Sequence, residues 1–306
     1  MTTESRKSWI EALRRAERLP ERYATAVFDY VGPLAERIRT LHTFLGRPTV
    51  IGINGAQGSG KSTFALFLAN WLQRELGLAT VNLSLDDFYL TKREREELAE
   101  NRHPLLRTRG VPGTHDIVLG TRTLAALTEP GAERAVALPG FDKARDDRVE
   151  SSRSRCVEAP VDIVLFEGWC VGARPQPNRD LADPVNELEA KEDADGAWRA
   201  YVNERLKNEY ATLFERIDML VMLRVPSFDK VLEWRELQER KLREDAKQQE
   251  SGQAAIAGMN PAELRRFVMY FERLTRHMLG DMPGYADTVI DIDKSHRMVA
   301  VANRSG

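Results

Sequence analysis

The chain has 306 residues, enough for one large α/β domain or two small ones. Its 42% hydrophobic content supplies a substantial core, and a net charge of −2 leaves no electrostatic footprint for nucleic acid or an anionic membrane. The two cysteines, Cys156 and Cys170, make no disulfide framework, no Cys/His cluster has zinc spacing, and reduced thiols fit the cytosol.

The first twenty residues lack the apolar core of a secretion signal, and Glu4, Glu11 and Glu17 argue against a transit peptide. Apolar runs are far too short to span a bilayer, so a soluble cytoplasmic protein is expected. Residues 6–18 and 21–45 read as amphipathic helices separated by Pro20, giving an N-terminal helical extension over 1–47 ahead of a domain at 48–306. Strands are expected at 49–54, 79–85, 161–166, 218–223 and 287–292. Helical patterns lie between them, the βαβ rhythm of a largely parallel sheet. The near-continuous apolar runs at 161–166 and 218–223 suit strands covered on both faces. Helices at 198–217 and 262–279 carry apolar stripes that read as core-facing surfaces. A helix at 228–248 turns strongly charged in its second half. That half reads either as a solvated face laced with i,i+4 pairs or as a cationic lid. Residues 101–116, 139–156 and 174–197 read as surface excursions.

Chemistry concentrates first at Gly55-Ala56-Gln57-Gly58-Ser59-Gly60-Lys61-Ser62-Thr63, between the first strand and a helix. This is the G-x-x-x-x-G-K-[ST] phosphate-binding loop in the context that gives it a mechanism. Gly55, Gly58 and Gly60 permit the positive φ values of a curled backbone. Successive N–H groups and the helix N-terminus then face phosphate oxygens. Lys61 is placed to reach the β/γ-phosphates and Ser62 to ligate Mg²⁺, so ATP and Mg²⁺ are the expected ligands.

Asp86 and Asp87 close the second strand, at the carboxyl edge where open α/β sheets bind ligands. Asp86 is the candidate base for an acceptor hydroxyl and a candidate metal ligand; Asp87 could equally open a turn. Thr91 and Glu94 form a capping box for the next helix. Glu167, after the strand 161–166, is the expected acidic anchor for Mg²⁺. The Pro112-Gly113 pair suits a type II turn, and Asp116 reads first as the N-cap of the helix that follows. Beside Arg109 on that rigid turn, His115 becomes a plausible substrate contact. The mixed run from Phe141 to Arg148 is, taken alone, solvated surface.

In order, the segments GINGAQGSGKST, SLDDFYLT, RGVPGTHD, FDKARDDR, FEGWCVG, VLEWRELQE and FERLT resemble the plant-type D-glycerate 3-kinases and their microbial relatives, over roughly residues 50–290. That family lies in the uridine kinase, pantothenate kinase and phosphoribulokinase group of P-loop kinases. The resemblance implies a three-layer α/β fold with a mainly parallel five-stranded sheet of order 2-3-1-4-5 and a cationic lid. It implies ATP-dependent phosphorylation of a small hydroxy acid, D-glycerate, to 3-phosphoglycerate. Carried over, Asp86 matches the catalytic base and Glu167 the acid after the Walker-B-type strand. Asp87, Tyr89, Arg109, His115, Lys143 and Arg148 fall in motifs bordering the acceptor, and Arg235 falls in the lid. Gly140 stands where the family pattern has an arginine, which leaves Lys143, Arg145 and Arg148 to hold a carboxylate. The residues alone also admit another small-molecule kinase (nucleoside, pantothenate or sugar phosphate) or a nucleotide-binding regulator.

Overall fold

The computed structural model describes residues 3–129, 135–150, 153–237 and 260–304. Their centre is a six-stranded sheet. In spatial order it runs β2 (Thr80–Ser84), β7 (Ile163–Gly168), β1 (Thr49–Gly55), β8 (Met219–Arg224), β9 (Thr288–Ile292) and β10 (Met298–Asn303). The first five are parallel neighbours in the order 2-3-1-4-5 of the expected strands. β10, which pairs antiparallel with β9, was not foreseen: its residues from Val299 to Asn303 are all exposed, so neither face carries the apolar signal of a buried strand. A two-residue pair, β4 (Phe141–Asp142) with β5 (Asp147–Arg148), and the pair β3 (Ala135–Leu138) with β6 (Arg155–Glu158) organise the excursion at 139–156.

Strand residues alternate between two buried layers. Ile51, Ile53, Leu165, Val221 and Ile290 face one hydrophobic cluster; Val50, Val164, Phe166, Leu220 and Val289 face the other. The first cluster is covered by α4 (Lys61–Leu76) and by the N-terminal helices α1 (Thr3–Ala16), α2 (Arg22–Ala26) and α3 (Gly32–Leu45), with a π-helical turn at Val27–Val31 between the last two. Trp9 docks edge-on to Trp71, ring centroids 6.2 Å apart, and its indole N–H donates to Glu75 at 2.8 Å. The second cluster is covered by α6 (Ile117–Thr128), by α8 (Ala197–Arg205) and α9 (Ala211–Phe214), and by α11 (Pro261–Asp281). The helix expected at 198–217 is thus broken by a π-helical turn, Leu206–Tyr210, and ends at Phe214. Its stripe is core-facing as expected. Of the helix expected at 228–248, residues 228–237 are helical and 238–248 lie outside the described residues. No helix among the described residues is long and apolar enough to cross a membrane.

Residues 174–197 are more than surface. They carry α7 (Glu187–Glu192), whose Glu189 is fully buried and accepts from Nε and Nη2 of Arg273, one on each carboxylate oxygen, at 2.8 and 2.7 Å. Arg273 also donates to the carbonyls of Asp180 and Asp183, at 2.6 and 2.5 Å. Buried Asp193 accepts from Arg199 at 2.8 Å. Composition made this segment look solvated. Paired, hydrogen-bonded charges escape the usual penalty of burial, and no local pattern announces them.

Candidate active site

Parallel register brings the carboxyl ends of β1, β7 and β2 together, with Glu167 opposite both Ile53 and Ser84. From β1 the chain turns at Ala56–Gly60 into the N-terminus of α4. Gly58 and Gly60 have φ of +78° and +86°, the left-handed values the loop requires. Gly55 does not: it is the last residue of β1, and its constraint is space, because a Cβ there would lie 2.5 Å from the Ser59 hydroxyl. The Ser62 hydroxyl donates to Glu167 Oε1 at 2.9 Å. Glu167 is buried, and its Oε2 has no hydrogen-bond partner among the described residues. A buried carboxylate oxygen left unsatisfied beside the Walker serine is what a hydrated divalent cation would complete, so Ser62 and Glu167 fit Mg²⁺.

Ser84 caps a 3₁₀ turn, Leu85–Phe88, that presents both aspartates. Asp86 accepts the Tyr89 phenol at 3.0 Å on one oxygen and the Lys143 ammonium at 2.6 Å on the other. Burial pushes its pKa up, but Lys143 and Lys61 together outweigh that and leave it below the usual carboxylate value. Asp86 is therefore ionised and able to accept a proton. Asp87 behaves oppositely. Burial, with Asp86 and Glu167 as like-charged neighbours, raises it to about 6. It lines a second depression, together with Gly140 and Arg153, and is not among the residues around Lys61 and Asp86. The Gly140 departure therefore falls outside the cavity that holds Asp86.

That cavity, about 150 Å³, is lined by the charged groups Lys61, Asp86, Lys143, Arg109 and Arg235, by the aromatic cluster Trp169, Phe267 and Phe271, and by Gln57 and Tyr89. The remaining expected contacts stand behind it. His115 is buried, stacked on Tyr89 at 4.4 Å, and bonded through Nδ1 to the Tyr210 hydroxyl at 2.6 Å. The Gly113 N–H also donates to that hydroxyl, at 2.9 Å. Burial lowers the His115 pKa to about 3, so the ring is neutral. Its Nε2 has no partner among the described residues. Arg148 donates to the Tyr89 carbonyl at 2.8 Å and to Asp116 at 3.0 Å; it ties β5 to the 3₁₀ segment and does not line the cavity. Asp116 also caps α6 as expected.

Three groups were missed in sequence. Arg95, on α5 (Lys92–Asn101), is 2% exposed and donates to the carbonyls of Leu90, Arg107 and Asp146, at 3.2, 2.8 and 2.8 Å. It holds the RGVPGTHD and FDKARDDR segments in register. Asp146 receives both Arg95 and Arg109. In a helix reading KREREELAEN nothing distinguishes the one inward arginine from its solvated neighbours. Phe267 and Phe271 belong to the stripe read as core, which they are, but the cavity end of the stripe also forms site wall.

A phosphate-binding loop, an adjacent carboxylate pair and an ionised aspartate in a cation-lined cavity define a P-loop phosphotransferase. No family model matches the chain. It is 37% identical over 205 residues to the uncharacterized kinase mug58 of Schizosaccharomyces pombe, covering 65% of this chain and 72% of that protein. It is 32% identical over 228 residues to the chloroplastic D-glycerate 3-kinase of Arabidopsis thaliana, covering 72% of this chain and 45% of the plant protein's length. Among solved structures, the D-glycerate 3-kinase from Cryptococcus neoformans superposes with a TM-score of 0.73 over 90% of this chain and 99% of its own, at 24% identity. The chain belongs to the D-glycerate 3-kinase family of P-loop kinases and is an ATP-dependent kinase.

Proposed function

We propose that the acceptor is D-glycerate, phosphorylated on its terminal hydroxyl to 3-phosphoglycerate. The observation that carries this reading is that Arg109 and Lys143 share one small cavity with Lys61 and Asp86. A three-carbon acid has few atoms, and ligand efficiency caps its affinity near about −10 kcal/mol, so its carboxylate must be used. One cation about 4 Å from it in a semi-buried cleft contributes roughly 4 kcal/mol before desolvation.

ATP lies along Gly55–Thr63 with Lys61 on its terminal phosphates. Ser62 and Glu167 would hold Mg²⁺, with Asp86 at the edge of its shell. Bound there, the ion neutralises phosphate charge. The acceptor's terminal O–H gives its proton to Asp86 as its oxygen forms the bond to the γ-phosphorus. The bond from that phosphorus to the bridging oxygen breaks, and ADP leaves with the electron pair. Lys61, with Arg235 from the base of the lid helix, faces the charge that spreads over the transferring group. Lys143 now rests on Asp86. Closing onto the acceptor carboxylate would let it exchange partners while keeping Asp86 ionised. Tyr89 orients the other oxygen of Asp86. His115, neutral, supports the stack beneath.

An ADP-release screen with D-glycerate, L-glycerate, uridine, pantothenate and ribulose 5-phosphate tests the reading. D-glycerate is expected to be strongly preferred; preference for any other member removes it.

A further inference from the structure

We propose that the aromatic wall of the cavity that holds Asp86, and Phe267 in particular, sets the size of the acceptor. It admits a three-carbon hydroxy acid and excludes longer polyol acids and nucleosides. This rests on the reading that the Lys61–Asp86 cavity holds the acceptor.

The wall is rigid. Trp169 is buried and donates its indole N–H to the Gly110 carbonyl at 2.8 Å. Phe271 meets Trp169 edge-on, with centroids 4.9 Å apart, and Phe267 meets Phe271 at 5.0 Å. Behind Phe271 the chain at Gly110 (φ +138°) lies so close that a Cβ there would sit 2.5 Å from the ring, so the ring cannot withdraw. The helix cannot swing away either. Two residues beyond Phe271, Arg273 locks α11 to buried Glu189 through a bidentate pair from Nε and Nη2. The three segments RGVPGTHD, FEGWCVG and FERLT thus meet in one packed contact that faces the acceptor.

The wall is also chemically selective. Among the described residues that line the cavity, Lys61, Asp86, Lys143, Arg109, Arg235, Gln57 and Tyr89 bring polar side-chain atoms, whereas Phe267 and Phe271 bring none. A short acid can satisfy its carboxylate and hydroxyls on the polar groups. Each further hydroxymethylene would press a hydroxyl against a phenyl ring with no partner. Of the two phenylalanines, Phe267 is only partly buried, so shortening it opens the cavity with less damage to the core than shortening Phe271.

The test is an acceptor ladder of D-glycerate, D-erythronate, D-gluconate and uridine. Each is measured by ADP release and, with a non-hydrolysable ATP analogue and Mg²⁺, by calorimetric binding, for the wild-type chain, Phe267→Ala and Phe267→Leu. Melting temperatures confirm folding, and the leucine variant serves if the alanine variant does not fold. Wild type should lose about 10–200-fold in kcat/KM for the first added hydroxymethylene. Phe267→Ala should raise the D-erythronate to D-glycerate ratio at least tenfold, mainly through KM, with the leucine variant between. A ratio unmoved in a folded variant overturns the filter, as does wild type binding D-gluconate or uridine as tightly as D-glycerate. Wild type that binds D-glycerate selectively but releases no ADP with it supports the filter and removes the glycerate reading. Wild type that binds none of the four removes both.

Discussion

The two halves of the site are built in opposite ways. The phosphate half is one contiguous stretch, Gly55–Thr63, made by a strand, a five-residue turn and a helix N-terminus, plus Glu167 from the neighbouring strand. The acceptor half draws on residues from Asp86 to Phe271, and almost none of its side chains stands on the element that positions it. Arg95 holds the loops that carry Arg109 and Lys143; Arg273 holds the helix that carries the aromatic wall. A local motif can encode the phosphate half because backbone conformation does the binding. The acceptor half needs buried ionic braces, and its precision depends on the whole fold.

The contrast can be broken at its strongest point by Asp86→Asn. That change should cost about 10³-fold in kcat, close to 4 kcal/mol, while ATP affinity stays within about twofold. Equal loss of ATP affinity would mean that the halves are not separable. Next in size is Arg273→Met, which strands Glu189 in the core. It should destabilise the chain by about 3 kcal/mol or more in chemical denaturation. Before it unfolds, it should raise the acceptor KM more than the ATP KM.

Lys143→Met should raise the acceptor KM by about 10–100-fold. It should also shift the pH profile in a predictable direction. Burial raises the Asp86 pKa and Lys143 is the larger of the cations that reverse this, so its loss raises the pKa. The acidic limb of kcat/KM then moves to higher pH; a limb that stays put would exclude Asp86 as the titrating base.

The smallest effect sharpens the comparison from the metal side. The folded-state pKa of Asp87 is raised to about 6 from 3.8, so the native state binds its proton more tightly than the unfolded chain. Below about pH 4 both states are protonated and nothing is lost. As pH rises through 4 to 6 stability falls, and above 6 a penalty of about 1–3 kcal/mol persists. Asp87→Asn should therefore raise the melting temperature in metal-free buffer at pH 7.5 and have no such effect at pH 4, as differential scanning calorimetry at the two pH values would read.

Much of this was legible in the amino acids. Apolar runs at β7 and β8 read as doubly covered strands because burial on both faces removes alternation, and the glycine spacing of the phosphate loop read as a binding site because few other backbones need it. The caps at Thr91 and Asp116 were legible for the same reason: each bonds within its own turn. Other features were not legible. β10 has neither a buried face nor a strong apolar run. Arg95 and Arg273 look like any helical arginine until the carbonyls and carboxylate they reach are brought close by chain segments 12 to 93 residues away. Arg148 and His115, expected at the acceptor, turned out to stand behind it, because Tyr89, Asp116 and Tyr210 claim their polar atoms first. Sequence alone determined the five parallel strands, the phosphate loop and the identity of the ionised aspartate's segment, all of which rest on interactions within a few residues or on strand periodicity. Only tertiary structure decided which cations face the acceptor and how much room it has, because both depend on which long side chains find buried partners elsewhere.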